Sequence, residues 1–142
     1  MRKIFLAASL LISAFFAAVL GIQSPSRVAA DTPWWDTLWG YRVAVTVDAA
    51  GYDRVDKAAE IEINFTDLMS ELGDSGKFDP KSIRVVEVDG GSVIDDLVPF
   101  QFDQASTYNA NRNAAGTLII LLTGETAAAA TRQYHIYFDV VG

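Results

Sequence analysis

His135 is the only histidine in the chain, and there is no cysteine. Those two counts remove most reactive chemistry. A zinc site draws on several imidazole or thiolate ligands, which this sequence does not hold. A histidine-assisted hydrolase would need a serine or threonine nucleophile and an orienting acid, and no serine sits in the glycine-flanked nucleophile-elbow pattern. His135 lies between Tyr134 and Ile136 in an alternating run, so it reads as a side chain on a strand face.

Carboxylates are the remaining candidates. Asp53/Asp56, Glu60/Glu62 and Asp95/Asp96 supply the residue type that glycoside cleavage uses, but that reaction needs two acids facing each other across a bond. Residues two apart on a strand share one face, so Glu60 and Glu62 read as neighbouring solvated acids. Asp89, Asp95 and Asp96 flank a glycine turn and have the oxygen chemistry that calcium takes, without the EF-hand spacing. They are the metal candidates, and solvated turn acids are the simpler reading. No catalytic residue is predicted, and calcium is the one cofactor considered.

The aromatic residues carry the stronger binding signal. Trp34, Trp35, Trp39 and Tyr41 fall within eight positions. Flat aromatic faces suit sugar rings, and tryptophan also anchors protein interfaces. A second candidate is the polar stretch around Tyr108, where Asn111 and Arg112 add donors beside one ring. The competing reading makes the tryptophans a lid on the fold or a contact with a neighbouring domain. Asn64-Phe65-Thr66 is formally a glycosylation acceptor at a strand end.

The setting of these residues is written at the start of the chain. Arg2 and Lys3 are followed by an uncharged run from Ile4 to Ile22, then Gly21 and Pro25 as breakers and the small residues Val28-Ala29-Ala30. That order is the pattern of a secretory signal peptide over 1–30, cleaved before Asp31. The run is also long enough for a membrane anchor if it is kept. The expected location is therefore secreted, extracellular or in the cell envelope, with membrane contact only through an uncleaved leader.

Of 142 residues, 112 remain after the leader, and they carry 8 basic against 18 acidic residues. A surface with that balance repels nucleic acid, which is excluded as a partner. The length suits one domain, 31–142, which must hold together without disulfides.

Alternation then places the elements. Tyr41 to Asp48 puts Val43, Val45 and Val47 on one face; Glu60 to Phe65 puts Ile61, Ile63 and Phe65 inward. Thr66 is the expected cap of a short helix closed by Gly73. Ser82 to Asp89 and Val93 to Asp103 read as strands joined by Asp89-Gly90-Gly91-Ser92, with Pro99 marking an edge or bulge. Gly116 to Thr123 is apolar at nearly every position, which predicts a central strand covered on both faces. Arg132 to Val141 is the closing strand, and Trp34–Trp39 is a candidate extra edge. The prediction is an all-β, jelly-roll-like antiparallel β-sandwich with one short helix.

Three stretches carry a resemblance. Trp35-x-x-x-Trp39-x-Tyr41-Arg42, the hairpin from Ser82-Ile83-Arg84-Val85-Val86 through Asp89-Gly90 to Val98-Pro99, and Thr131-Arg132-Gln133-Tyr134-His135-Ile136-Tyr137-Phe138 together resemble the domain family called DUF2341. The hairpin is also similar to the N-terminal β-barrel domain of rhamnogalacturonan lyase-like proteins. The resemblance implies a β-rich accessory module of large exported or cell-surface proteins, often alongside carbohydrate-active or adhesive domains, and it carries over no catalytic residue. A closing strand that finishes the sequence separately suggests the N-terminal module of a larger protein. The expected function is thus a non-catalytic binding or structural module, with a polysaccharide or a neighbouring domain as partner. A fragment of a polysaccharide-degrading enzyme is the less favoured alternative.

Overall fold

The computed structural model describes residues 34–142, together with the backbone of two short strands, β1 (Ala18–Ile22) and β2 (Ser26–Arg27). The rest of the expected leader, with its cleavage site before Asp31, lies outside the described residues. Seven further strands follow: β3 (Tyr41–Asp48), β4 (Arg54–Asn64), β5 (Phe78–Asp89), β6 (Ser92–Asp95), β7 (Phe100–Gln104), β8 (Ala115–Thr126) and β9 (Thr131–Val140). One helix, α1 (Phe65–Glu71), sits between β4 and β5. The protein is an antiparallel all-β sandwich.

One sheet has the order β1-β3-β9-β5-β6, with β2 also pairing β3; the other has the order β4-β8-β7. From β3 onward the chain passes between the sheets four times, so each layer is closed by connections from the other. The inward residues are those the alternation selects. Val43, Val45 and Val47 meet Tyr134, Ile136 and Phe138 on the first sheet, and Ile61, Ile63, Leu118, Ile120 and Leu122 face them from the second. Phe65 stacks on Phe78 at 4.2 Å, and Leu68 and Met69 of α1 plug that end. Aromatic burial of this kind replaces the missing disulfides.

Several local expectations are corrected. The side chain of Asn64, not Thr66, caps α1 by accepting the Thr66 N–H at 3.1 Å; the Thr66 hydroxyl instead accepts from the Ala114 N–H. Strand β4 begins at Arg54, well ahead of the alternating run Glu60 to Phe65 that marks it in the sequence, because a bulge at Asp56 (φ 48°) absorbs the irregular residues. The stretch 93–103 is two strands in different sheets: the 96–99 segment carries the chain from β6 across to β7. Strand β8 is central but covered on one face only, so Leu121 is exposed on the outside of the second sheet. Apolar composition alone could not tell one-sided from two-sided burial. Gly90 and Gly91, at φ 54° and 84°, make the tight β5–β6 turn as expected.

Candidate functional site

The aromatic lead-in does not form an edge strand. It lies across the outer face of the first sheet. A turn at Asp36, whose carboxylate accepts the Leu38 N–H at 2.9 Å, folds residues 34–40 back over β9 and β5. The floor is a small second core of Val86, Val88 and Tyr137, with Trp34, Trp35 and Trp39 packed on it. These floor residues are the outward members of the same alternation that sends Val85, Ile136 and Phe138 inward.

Tyr137 is the centre. Trp34 meets its ring edge-on at 5.5 Å, and Trp35 sits tilted at 5.5 Å and in turn meets Trp39 at 5.2 Å. The Tyr137 hydroxyl accepts the Trp35 backbone N–H at 3.0 Å. Two of the three indole donors are committed: Trp34 Nε1 donates to the Trp39 carbonyl at 3.1 Å, and Trp39 Nε1 to the Ser82 carbonyl at 2.6 Å. Two guanidinium groups flank the rings. Register puts Arg42 and Arg84 on either side of Tyr137; Arg42 stands 4.5 Å from the Trp34 ring centre and Arg84 5.5 Å from that of Trp39. Such cation–ring contacts are worth about 0.5–2 kcal/mol each, more as water is excluded.

His135 lies one row along, 6.2 Å from Tyr137. Burial, then the nearby Arg42 charge, hold its imidazole down at about 4. It is a neutral ring at physiological pH, with no acid–hydroxyl pair beside it among the interactions of the described residues.

The other expected site residues separate. Tyr41 is not part of the aromatic group: its ring is buried, stacked on Phe138 at 5.2 Å, and its hydroxyl donates to Asp74. Two consecutive strand residues face opposite ways, and Tyr41 takes the core side while Arg42 takes the outer one. Tyr108 turns inward against Phe102, while Asn111 and Arg112 are exposed at the tip of a small hairpin closed by Asn109 and Asn113. These three do not converge on one surface. The Tyr108 hydroxyl is buried without a protein partner, and burial with the Asp79 charge raises its pKa.

Asp89 and Asp96 are exposed, and Asp95 is used to cap the Leu97 N–H at 2.8 Å. Among the described residues no group of three His, Asp or Glu is placed to hold a metal ion. Glu60 and Glu62 lie on the outer face of the second sheet as expected. What sequence reading missed was Tyr137, Arg42 and Arg84. The available signal was an aromatic at an outward position of β9, flanked in register by two arginines. No protein-family model, curated protein or solved structure matches the chain.

Proposed function

We propose that this chain is an exported, non-catalytic β-sandwich module whose work is interaction, with the aromatic lead-in serving as a clasp and contact surface toward a neighbouring domain or subunit. The observation that carries this reading is the commitment of the tryptophans. The indole donors of Trp34 and Trp39 bond to backbone carbonyls and their rings meet Arg42 and Arg84, while Trp35 is held through its ring against Tyr137 and its backbone N–H to the Tyr137 hydroxyl. A sugar platform instead needs an open ring face with polar groups left to engage hydroxyls. The leader pattern supports export, and the DUF2341-like stretches support an accessory role beside other domains.

The exported chain is titrated with a panel of neutral and acidic polysaccharides while tryptophan emission is followed. Unchanged emission is expected throughout. Trp35→Ala should lower the melting temperature without changing affinity for any glycan. Saturable quenching by one polysaccharide, lost in that variant, would move the assignment to carbohydrate binding at Trp34, Trp35 and Trp39. Turnover of a polysaccharide, abolished by a single Asp or Glu substitution, would make the chain an enzyme.

A further inference from the structure

Sheet edges are templates for pairing, and proteins that stay single defend them with short strands, charges, proline or bulges. Three of the edges here are defended. β6 is four residues long and runs into Asp95-Asp96. β7 is five residues long and follows directly on Pro99. β4 carries a bulge at Asp56 and the acids Glu60 and Glu62.

β3 is different. Its eight residues pair with β9 without a break, from Tyr41 opposite Phe138 to Asp48 opposite Thr131. It contains no proline or glycine, and its only charges, Arg42 and Asp48, stand near its two ends. Its far side is occupied by β1 and β2, antiparallel, with Val19 opposite Val47 and Arg27 opposite Tyr41. Those two strands lie inside the segment read as a cleaved leader. The lead-in 34–40 gives no substitute cover, because its bonds run to Tyr137 and Ser82, over β9 and β5.

We infer that the outer edge of β3 is a strand acceptor and that, once residues 1–30 are removed, it is filled by β3 of a second copy of this chain. The inference rests on the leader reading given above. The sequence of β3 is complementary to itself when two copies run antiparallel about a twofold axis at Val45. Opposed residues then share a face. Val45 meets Val45, Val43 meets Val47, Ala44 meets Thr46, and Arg42 meets Asp48 at both ends. The inward valines stay inward, no like charges are opposed, and the same patch serves both partners, as a twofold interface requires. A slip of one residue would turn the valines outward, so the register is specified.

The chain is purified after export, its N-terminus read by intact mass, and its self-association measured by sedimentation equilibrium. The expected result is a chain beginning at Asp31 that forms dimers, with backbone amide exchange in 41–48 slowing as concentration rises. Asp48→Asn keeps an acceptor for the Ala50 N–H, which Asp48 now bonds, and should weaken the dimer about threefold. Asp48→Lys sets like charges against Arg42 twice and should weaken it tenfold or more, about 1.4 kcal/mol. A chain that retains residues 18–27 overturns the inference at the leader. A chain cleaved at 31 that stays monomeric, or dimerises with exchange in 41–48 unchanged, overturns it at the edge.

Discussion

Arg132 and Glu87 meet in a two-pronged ion pair, Nε to Oε1 at 2.6 Å and Nη2 to Oε2 at 2.5 Å, at an end of the sandwich. Glu87 is inward-facing on β5 and almost fully buried, and Arg132 also reaches the Thr123 carbonyl of the second sheet at 2.9 Å. One guanidinium therefore ties β5, β8 and β9 together. The hydrogen bond to Glu87 is the main reason that the Arg132 pKa is raised.

Breaking that pair from one side should be worse than removing it. Arg132→Met leaves Glu87 charged and buried, which costs roughly 3–5 kcal/mol. The double variant Arg132→Met/Glu87→Leu should recover most of the loss, since both charges then leave the interior together. Urea unfolding of the two variants checks this; a double variant no more stable than the single one would show that the pair itself supplies the stability.

Gly116 should tolerate no side chain. A Cβ there would lie 2.4 Å from the Asp103 carbonyl oxygen and 2.6 Å from the Phe102 ring. The oxygen belongs to β7, paired with β8 at this point, so it cannot move without parting the strands. Gly116→Ala is expected to cost about 2–3 kcal/mol by overpacking, which for a domain this size lowers the melting temperature by roughly 10 °C or more. Loss of amide protection should concentrate in 100–104.

The inward faces of β3, β4 and β9 were legible because Val43, Ile61 and Ile136 repeat at the strand period and burial rewards that period directly. The outer face was half legible. Trp34, Trp35 and Trp39 stood out by type, but their floor at Tyr137 depends on which of two neighbouring aromatics, Tyr137 or Phe138, faces outward, and only register decides that. Ile119 and Leu121 misled in the opposite direction: hydrophobic side chains predict burial on average, yet an outer sheet face holds them without a covering layer. The scatter of Tyr108, Asn111 and Arg112 was hidden for a further reason. Adjacent loop residues point wherever the turn sends them, and the Asn109–Asn113 bridge was not readable from polarity.

Trp39→Phe isolates one bond of the clasp. It keeps a ring near Arg84 and removes the Nε1 donor, leaving the Ser82 carbonyl short of a partner. A loss of about 1–2 kcal/mol is expected, together with faster exchange in the lead-in. If stability is unchanged, the lead-in is held by ring packing alone and the indole bond is incidental.

The His135 imidazole gives the fold a pH dependence whose sign follows from its lowered pKa. Burial and the Arg42 charge hold it at about 4, against 6.5 for the exposed group. Well above pH 6.5 the ring is neutral in both folded and unfolded chains, so its contribution to the slope fades there. Between 6.5 and 4 the unfolded chain takes up a proton that the folded one refuses, and stability falls as pH falls, by at most about 1.4 kcal/mol per pH unit. The clean window is pH 6.5 to 5, above the ordinary carboxylate range. Denaturant midpoints measured there should decline for the natural chain and stay flat for His135→Gln, which has nothing to titrate. Parallel declines in both would assign the slope to another group and place His135 in contact with water.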